Sequence, residues 1–290
     1  MPPMHPHEPM DPWTHGPINP WTFPLWHSSP VPFTDKVAIV TGGTKGIGRA
    51  IVETFASAGG RVVFCSNEDE GGAEVAAAAT TAGPGRARFV RCDVARPDDL
   101  ERFVADVGAA EGRIDCLVNN AGWHPPHKSI DDFSLDDFRL LLELNLVSVF
   151  VASRTALPWL RQTHGSIVNV ASLVASMGQH HATTYVATKG AVLAFTKALA
   201  IDEAPYGVRV NAISPGNVYT PLWQEAIDQS PDPARTRADG EGAQPLGRMG
   251  TPHEVARLCL YLAAEATFTT GADHLVTGGA ELGYGRKVRP

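Results

Sequence analysis

From Lys36 onward, short β-branched apolar runs alternate with longer stretches whose apolar residues recur at helical spacing. The runs at 37–40, 62–64, 87–90, 117–118, 167–170, 208–213 and 275–276 predict seven strands. Helices are expected at 46–58, 71–82, 98–111, 135–161, 183–204 and 252–264. The runs at 37–40, 62–64 and 117–118 are continuously apolar and do not alternate with polar residues, so both faces of the sheet must be covered. That requires parallel strands with helices on either side. The expected architecture is therefore α/β, a single-domain, doubly wound, parallel seven-stranded sheet. Between 221 and 250 the chain turns acidic, proline-containing and irregular, and it is expected to form a lid over a ligand crevice.

Composition changes this picture at one end. Residues 1–34 hold 10 of the 23 prolines, three of the six tryptophans and only two charged residues, Glu8 and Asp11. Such a segment favours extended geometry, and it lacks the basic start and apolar stretch of a secretory signal. It is expected to be an extension, with residues 35–290 forming the domain. Trp13, Trp21 and Trp26 could pin it to the body or to a sister subunit; His5 and His7 lack further ligands.

Of the 290 residues, 43% are hydrophobic and 19% charged, enough apolar surface for a substantial core. The net charge of -7 argues against nucleic acid as the principal partner. The longest apolar stretches have Arg, Glu or Asn nearby, so a membrane-spanning segment is not expected. Cys65, Cys92, Cys116 and Cys259 show neither C-x-x-C nor zinc spacing. Reduced, buried cysteines in a cytoplasmic protein are the plain expectation, with no metal.

The first strand runs into Thr41-Gly42-Gly43-Thr44-Lys45-Gly46-Ile47-Gly48 and then a helix. Glycines let backbone approach a pyrophosphate, while the helix start offers free N–H groups and the positive end of its dipole. In a strand–turn–helix context this points to a dinucleotide. Further along, Tyr185 and Lys189 stand four residues apart on one helix face, so an ammonium can approach a phenol and favour its ionised form. Ser172 lies past the fifth predicted strand, where its hydroxyl can bond a substrate oxygen, and Asn145 lies on the long helix before it. Taken singly, each has an ordinary structural explanation, such as a turn, a cap or a backbone bond. No G-x-S-x-G elbow surrounds Ser172, which argues against a hydrolase.

The spacing G-x-x-x-G-x-G, Asn119-Asn120-Ala121-Gly122 after the fourth strand, Ser172 and Tyr185-x-x-x-Lys189 together resemble the short-chain dehydrogenase/reductase family, from Lys36 to about Lys287. The resemblance implies a Rossmann-type fold and NAD(P)-dependent hydride transfer between nicotinamide and a secondary alcohol. It implies catalytic roles for Asn145, Ser172, Tyr185 and Lys189, with Asn145 linking Lys189 to solvent through a water. Implied cofactor contacts are Gly42, Thr44, Lys45, Gly46, Ile47, Gly48, Asp93, Val94, Asn120, Ala121, Gly122, Tyr185, Lys189, Pro215, Gly216, Val218 and Thr220, with the Val218 backbone and Thr220 hydroxyl on the carboxamide. It also implies a homotetramer built on the two long helices.

Ser66 and Asn67 stand where an acidic residue would select NAD over NADP. No Arg replaces that residue; Lys45 could reach a 2′-phosphate that Glu68 and Asp69 would oppose, so the reading favours NAD and leaves NADP open. Within the family, segments such as Asn119 to Pro126 and Tyr206 to Thr220 resemble 17β-hydroxysteroid dehydrogenase type 14 and the L-fucose dehydrogenases. This implies a sugar, lactol or steroid alcohol as the small-molecule substrate. By position, Trp123, His124, Gln179, Trp223 and Tyr284 are candidate pocket residues, with His180 and His181 at the rim. The alternatives are a carbonyl reductase using NADPH on an unidentified ketone, and a non-catalytic NAD(P) sensor.

Overall fold

The computed structural model describes residues 33–282; the leader tryptophans and Tyr284 lie outside the described residues. Seven strands form one sheet: β1 (Val37–Thr41), β2 (Arg61–Ser66), β3 (Arg86–Arg91), β4 (Cys116–Asn119), β5 (Ser166–Val170), β6 (Arg209–Pro215) and β7 (Asp273–Val276). Every pairing is parallel, in the order β3-β2-β1-β4-β5-β6-β7. The helices are α1 (Gly46–Ser57), α2 (Gly72–Thr81), α3 (Pro97–Glu111), α4 (Leu135–Leu142), α5 (Ser148–Thr163), α6 (Val174–Met177), α7 (Thr183–Glu203), α8 (Pro221–Asp228), α9 (Pro233–Gly242) and α10 (Pro252–Ala264).

The apolar runs split residue by residue between two core layers. Ala38 and Val40 of β1 pack with Phe33, Ile51, Phe55 and Phe64 beneath α1 and α10, whereas Val37 and Ile39 pack with Leu100, Val104 and Leu160 beneath α3 and α5. This two-sided burial is why the runs do not alternate in polarity. Phe33, counted with the leader by composition, is fully buried edge-to-face on Phe55, so the packed body includes it. The arginine-rich β3 is an edge strand. All four cysteines are buried and unpaired.

Two elements depart from the sequence expectation. The single helix expected over 135–161 is α4 and α5 joined by a π-helical turn, Glu143–Val147. Within the run Leu135–Thr163 an 18-residue window reaches a mean hydropathy of 1.6, long and apolar enough to cross a membrane by composition. In this fold it is a core helix, burying Val151, Ala152, Ala156 and Leu160 against the sheet and α3. The stretch read as irregular contains α8 and α9, because its prolines are starters and not breakers. Thr220 and Asp232 each precede a proline and accept a hydrogen bond from a backbone N–H three residues on. Proline at the first helical position loses nothing, since its missing N–H would have no helical partner.

Helix α10 begins with a full capping box: Thr251 accepts from the Glu254 N–H, and the Glu254 carboxylate accepts from the Thr251 N–H. Arg248 grips the same carboxylate through both terminal nitrogens and holds it near pKa about 2. Thr251→Ala should therefore destabilise the protein by about 1 kcal/mol, read as a lower urea midpoint with unchanged slope, and Thr251→Ser should restore most of it.

Candidate active site

At the carboxyl ends of the strands the chain leaves β1 in one direction and β4 in the other, opening the crevice in which doubly wound sheets bind ligands. The turn after β1 lines one wall. Gly42 has φ of +67°, and a Cβ on Gly48 would lie 1.9 Å from the Gly42 carbonyl oxygen, so neither position accepts a side chain without displacement. Asn120 locks the turn by donating from Nδ2 to the carbonyls of Thr41 and Gly42, both at 3.0 Å. The Ala121 N–H donates to Thr41 Oγ1. The first turn of α1 has no side-chain cap, which leaves its N–H groups to a ligand. A side-chain-free cradle against an uncapped helix start fits a dinucleotide pyrophosphate.

Around this wall, Thr44 and Val94 are buried, Ile47 packs on the core and Asn67 is exposed. Ser66 ends β2, and its hydroxyl accepts from the Glu68 N–H. Lys45 Nζ is paired with Glu68 at 2.5 Å, so the cation in reach of a 2′-phosphate already has a carboxylate partner. Asp93 Oδ1 accepts from the Ala95 N–H. Beyond β6, Pro215 ends the strand, Gly216 donates to the Val276 carbonyl, Val218 bridges to Gly250, and the Thr220 hydroxyl caps α8 by accepting from the Trp223 N–H. The carboxamide role expected for that hydroxyl is thus limited to what a cap oxygen can still offer.

The opposite wall carries the reactive groups. Tyr185 is hydrogen-bonded to Ser172, yet burial dominates and pushes its phenol up to about 12. Burial likewise pushes the Lys189 ammonium down to about 8. Both shifts have one cause: a dry site penalises whichever form is charged. Lys189 Nζ donates to the Val170 carbonyl at 2.8 Å and stands 5.9 Å from the Tyr185 ring centre. Asn145 sits within the π-helical turn, buried, where its Oδ1 accepts from the Trp123 N–H at 2.9 Å. Its Nδ2 donates to the Trp123 carbonyl at 3.0 Å and to Thr188 Oγ1 at 3.1 Å. Gly122 keeps the space between them open; a Cβ there would lie 3.2 Å from both Asn145 Oδ1 and Lys189 Nζ.

Of the expected pocket residues, His124 is brought directly onto the site, its ring 4.2 Å from that of Tyr185 at 45°, and Gln179 bonds it at 3.0 Å. Trp123 is 43% exposed at the rim. Trp223 faces α9, against Gly240, where it joins the helices of the insert. His180 and His181 stack on each other at 3.7 Å and are exposed. Sequence reasoning missed His127, which lies 5.2 Å from His124; the signal available was the His-Pro-Pro-His spacing. It also missed Asn169, which accepts from Asn119 Nδ2 and donates to Thr196 Oγ1, tying the sheet centre to α7.

Residues 42–281 match the family model described as enoyl-(acyl carrier protein) reductase. The chain belongs to the short-chain dehydrogenase/reductase family. It is 52% identical over 256 residues to an L-fucose dehydrogenase from Bos taurus, covering 88% of this chain and 93% of that one. Among solved structures, the L-sorbose reductase of Gluconobacter frateurii, complexed with NADPH and L-sorbose, has a TM-score of 0.82 at 29% identity, covering 87% and 98%. The aldohexose dehydrogenase of Thermoplasma acidophilum has a TM-score of 0.77 at 34% identity, covering 86% and 95%. As a short-chain dehydrogenase, the chain is an NAD(P)-dependent oxidoreductase acting on a small-molecule alcohol.

Proposed function

We propose that the protein is a sugar dehydrogenase that oxidises a secondary or lactol hydroxyl of a small aldose of the L-fucose type. The observation carrying this reading is the meeting of the Ser172–Tyr185 pair and the buried Lys189 with the glycine cradle, in a chain half identical to L-fucose dehydrogenases. A bound nicotinamide supplies the hydride acceptor. Ser172 holds the substrate oxygen, and Tyr185 removes the hydroxyl proton as the C–H bond breaks. The Lys189 ammonium favours the phenolate; after Tyr185 has taken the substrate proton, Lys189 gives one of its own protons to a water and takes up the phenol's in its place. Asn145, held by Trp123 and Thr188, faces the same opening at Gly122, where it would hold the water that takes this proton on to solvent.

The rim favours a polyhydroxylated substrate over a 17β-hydroxysteroid. His124 and Gln179 offer polar groups beside Tyr185, where a steroid would need a continuous apolar wall. Trp123, at the rim, would bound the sugar ring. The assay is nicotinamide reduction at 340 nm, with NAD and with NADP, across L-fucose, other aldoses and 17β-hydroxysteroids. Turnover of an aldose supports the reading, whereas turnover of steroids alone would overturn it.

For the dinucleotide, NAD is the proposed partner, since Glu68 already neutralises Lys45. Ser66→Asp should raise the NAD-over-NADP ratio of kcat/KM about tenfold or more, because its carboxylate would accept from the 2′-hydroxyl and repel a 2′-phosphate. Exposed Leu135 and Leu140 on α4, Phe150 on α5 and Ile201 on α7 support the homotetramer.

A further inference from the structure

His124 makes an unusual pair of contacts. Its Nδ1 lies 2.7 Å from the Pro125 carbonyl, which only accepts, and its Nε2 lies 3.0 Å from Gln179 Oε1, which also only accepts. With the Gln179 amide in this orientation, the ring meets both acceptors only by carrying a proton on each nitrogen. The same Gln179 turns its Nε2 to His127 Nε2 at 3.3 Å. An amide nitrogen donates, so His127 must present a lone pair there and be neutral, with its proton on Nδ1. Rotating the Gln179 amide by half a turn inverts both assignments: the amide then donates to His124 Nε2, and its oxygen accepts from a protonated His127 Nε2.

We propose that His124, Gln179 and His127 form one proton-sharing chain, in which the orientation of the Gln179 amide decides whether the imidazole stacked on Tyr185 is charged. With one amide oxygen between them, only one of the two histidines can donate at a time. A proton on His127 therefore withdraws the acceptor from His124. When charged, His124 adds a second cation beside the Tyr185 ring and favours the phenolate that proton removal requires.

The surrounding charges suit this arrangement. Around the chain stand Lys128 on the same loop, His180 and His181 on the segment after α6, and Tyr185 and Lys189 on α7. The His181 carbonyl accepts from the Lys128 N–H, which joins the two loops that carry the chain. Partial desolvation, with the charges of His124, His181 and His180, pushes His127 down and keeps it the neutral partner. Gln179 lies in an exposed turn, so its replacement leaves the packed core untouched.

This inference rests on the dehydrogenase reading for its consequence, but its test does not need turnover. Ring-nitrogen NMR of the full-length protein, labelled at histidine, reads the protonation of each nitrogen from about pH 5 to about pH 8. The expected pattern is reciprocal: where His124 is protonated at both nitrogens, His127 is protonated at Nδ1 alone. Gln179→Glu, whose carboxylate accepts from both rings at once, should leave both histidines doubly protonated and extend the charged form of His124 upward by about one pH unit. Gln179→Leu should remove the second proton of His124 near neutrality. A single ring proton on His124 across the whole range would overturn the proposal, as would a His124 pattern unmoved by Gln179→Leu. Failure of every sugar in the turnover assay with this NMR pattern intact would instead fall on the substrate reading.

Discussion

Tyr185→Phe should lower kcat by about 10³-fold while the dinucleotide still binds with unchanged affinity. The phenol oxygen is the only atom removed. Its bond to Ser172 and its position opposite the glycine cradle make it the group that can take the substrate's proton, and nothing in the cradle depends on it. Burial alone would leave this phenol unionised at neutral pH, pushed up to about 12. The working site must therefore bring positive charge to it, and the pH profile of the oxidation should rise with the ionisation of Tyr185. Calorimetric titration with NAD and stopped-flow absorbance separate the two effects. Equal loss of binding and turnover would show that the variant has disturbed the cradle and would remove Tyr185 from its proposed role.

Lys189→Met should abolish most turnover, by about 10²-fold or more, and yet make the ligand-free protein more stable. Lys189 is an ammonium buried with one carbonyl partner, and burial pulls it from 10.5 down to about 8. The folded protein thus holds this proton less readily than the unfolded chain. The penalty is present in full below about pH 8 and fades as pH climbs toward 10.5, so this residue makes stability rise with pH across that window. Removing the charge should gain roughly 2 kcal/mol at pH 7, reduced by the Val170 carbonyl left without its donor. Urea unfolding at pH 7 and at about pH 10 should show the gap between variant and parent closing at the higher pH. A variant less stable than its parent at both values would refute this account of the site's strain. The opposed effects on activity and stability mark a residue kept for chemistry.

Much of the fold was legible because two-sided burial writes itself into the central strands β1, β2 and β4 as uninterrupted apolar runs, and all seven runs read from the sequence coincide with strands. Fixed local spacings likewise revealed the glycine turn and the Tyr185–Lys189 pair, whose geometry is set within one helix or one turn. What stayed hidden depends on tertiary contact. The π-helical turn at Glu143–Val147 has no local signature, and it exists because Asn145 finds the Trp123 backbone and Thr188 on other elements. His127 carries no meaning until the segment after α6 brings Gln179 beside it. The helices of the 221–250 insert were obscured by reading proline as a stop, where Thr220 and Asp232 make it a start.

The widened turn has a consequence for how this helix can vary. Each residue in an α-helix advances the chain by about 100°. Loss of a single residue between Glu143 and Val147 would let the turn relax into an unbroken α-helix, an outcome that local energetics welcomes. The long helix would then survive with α4 and α5 in roughly their present register, because the wide turn is what accommodates the extra residue. The residues within the turn would be re-aimed, and Asn145 would lose its bonds to Trp123 and Thr188. A one-residue deletion here should therefore yield folded but inactive protein, whereas the same deletion within α5 would turn its buried face out of the core by roughly a quarter-turn.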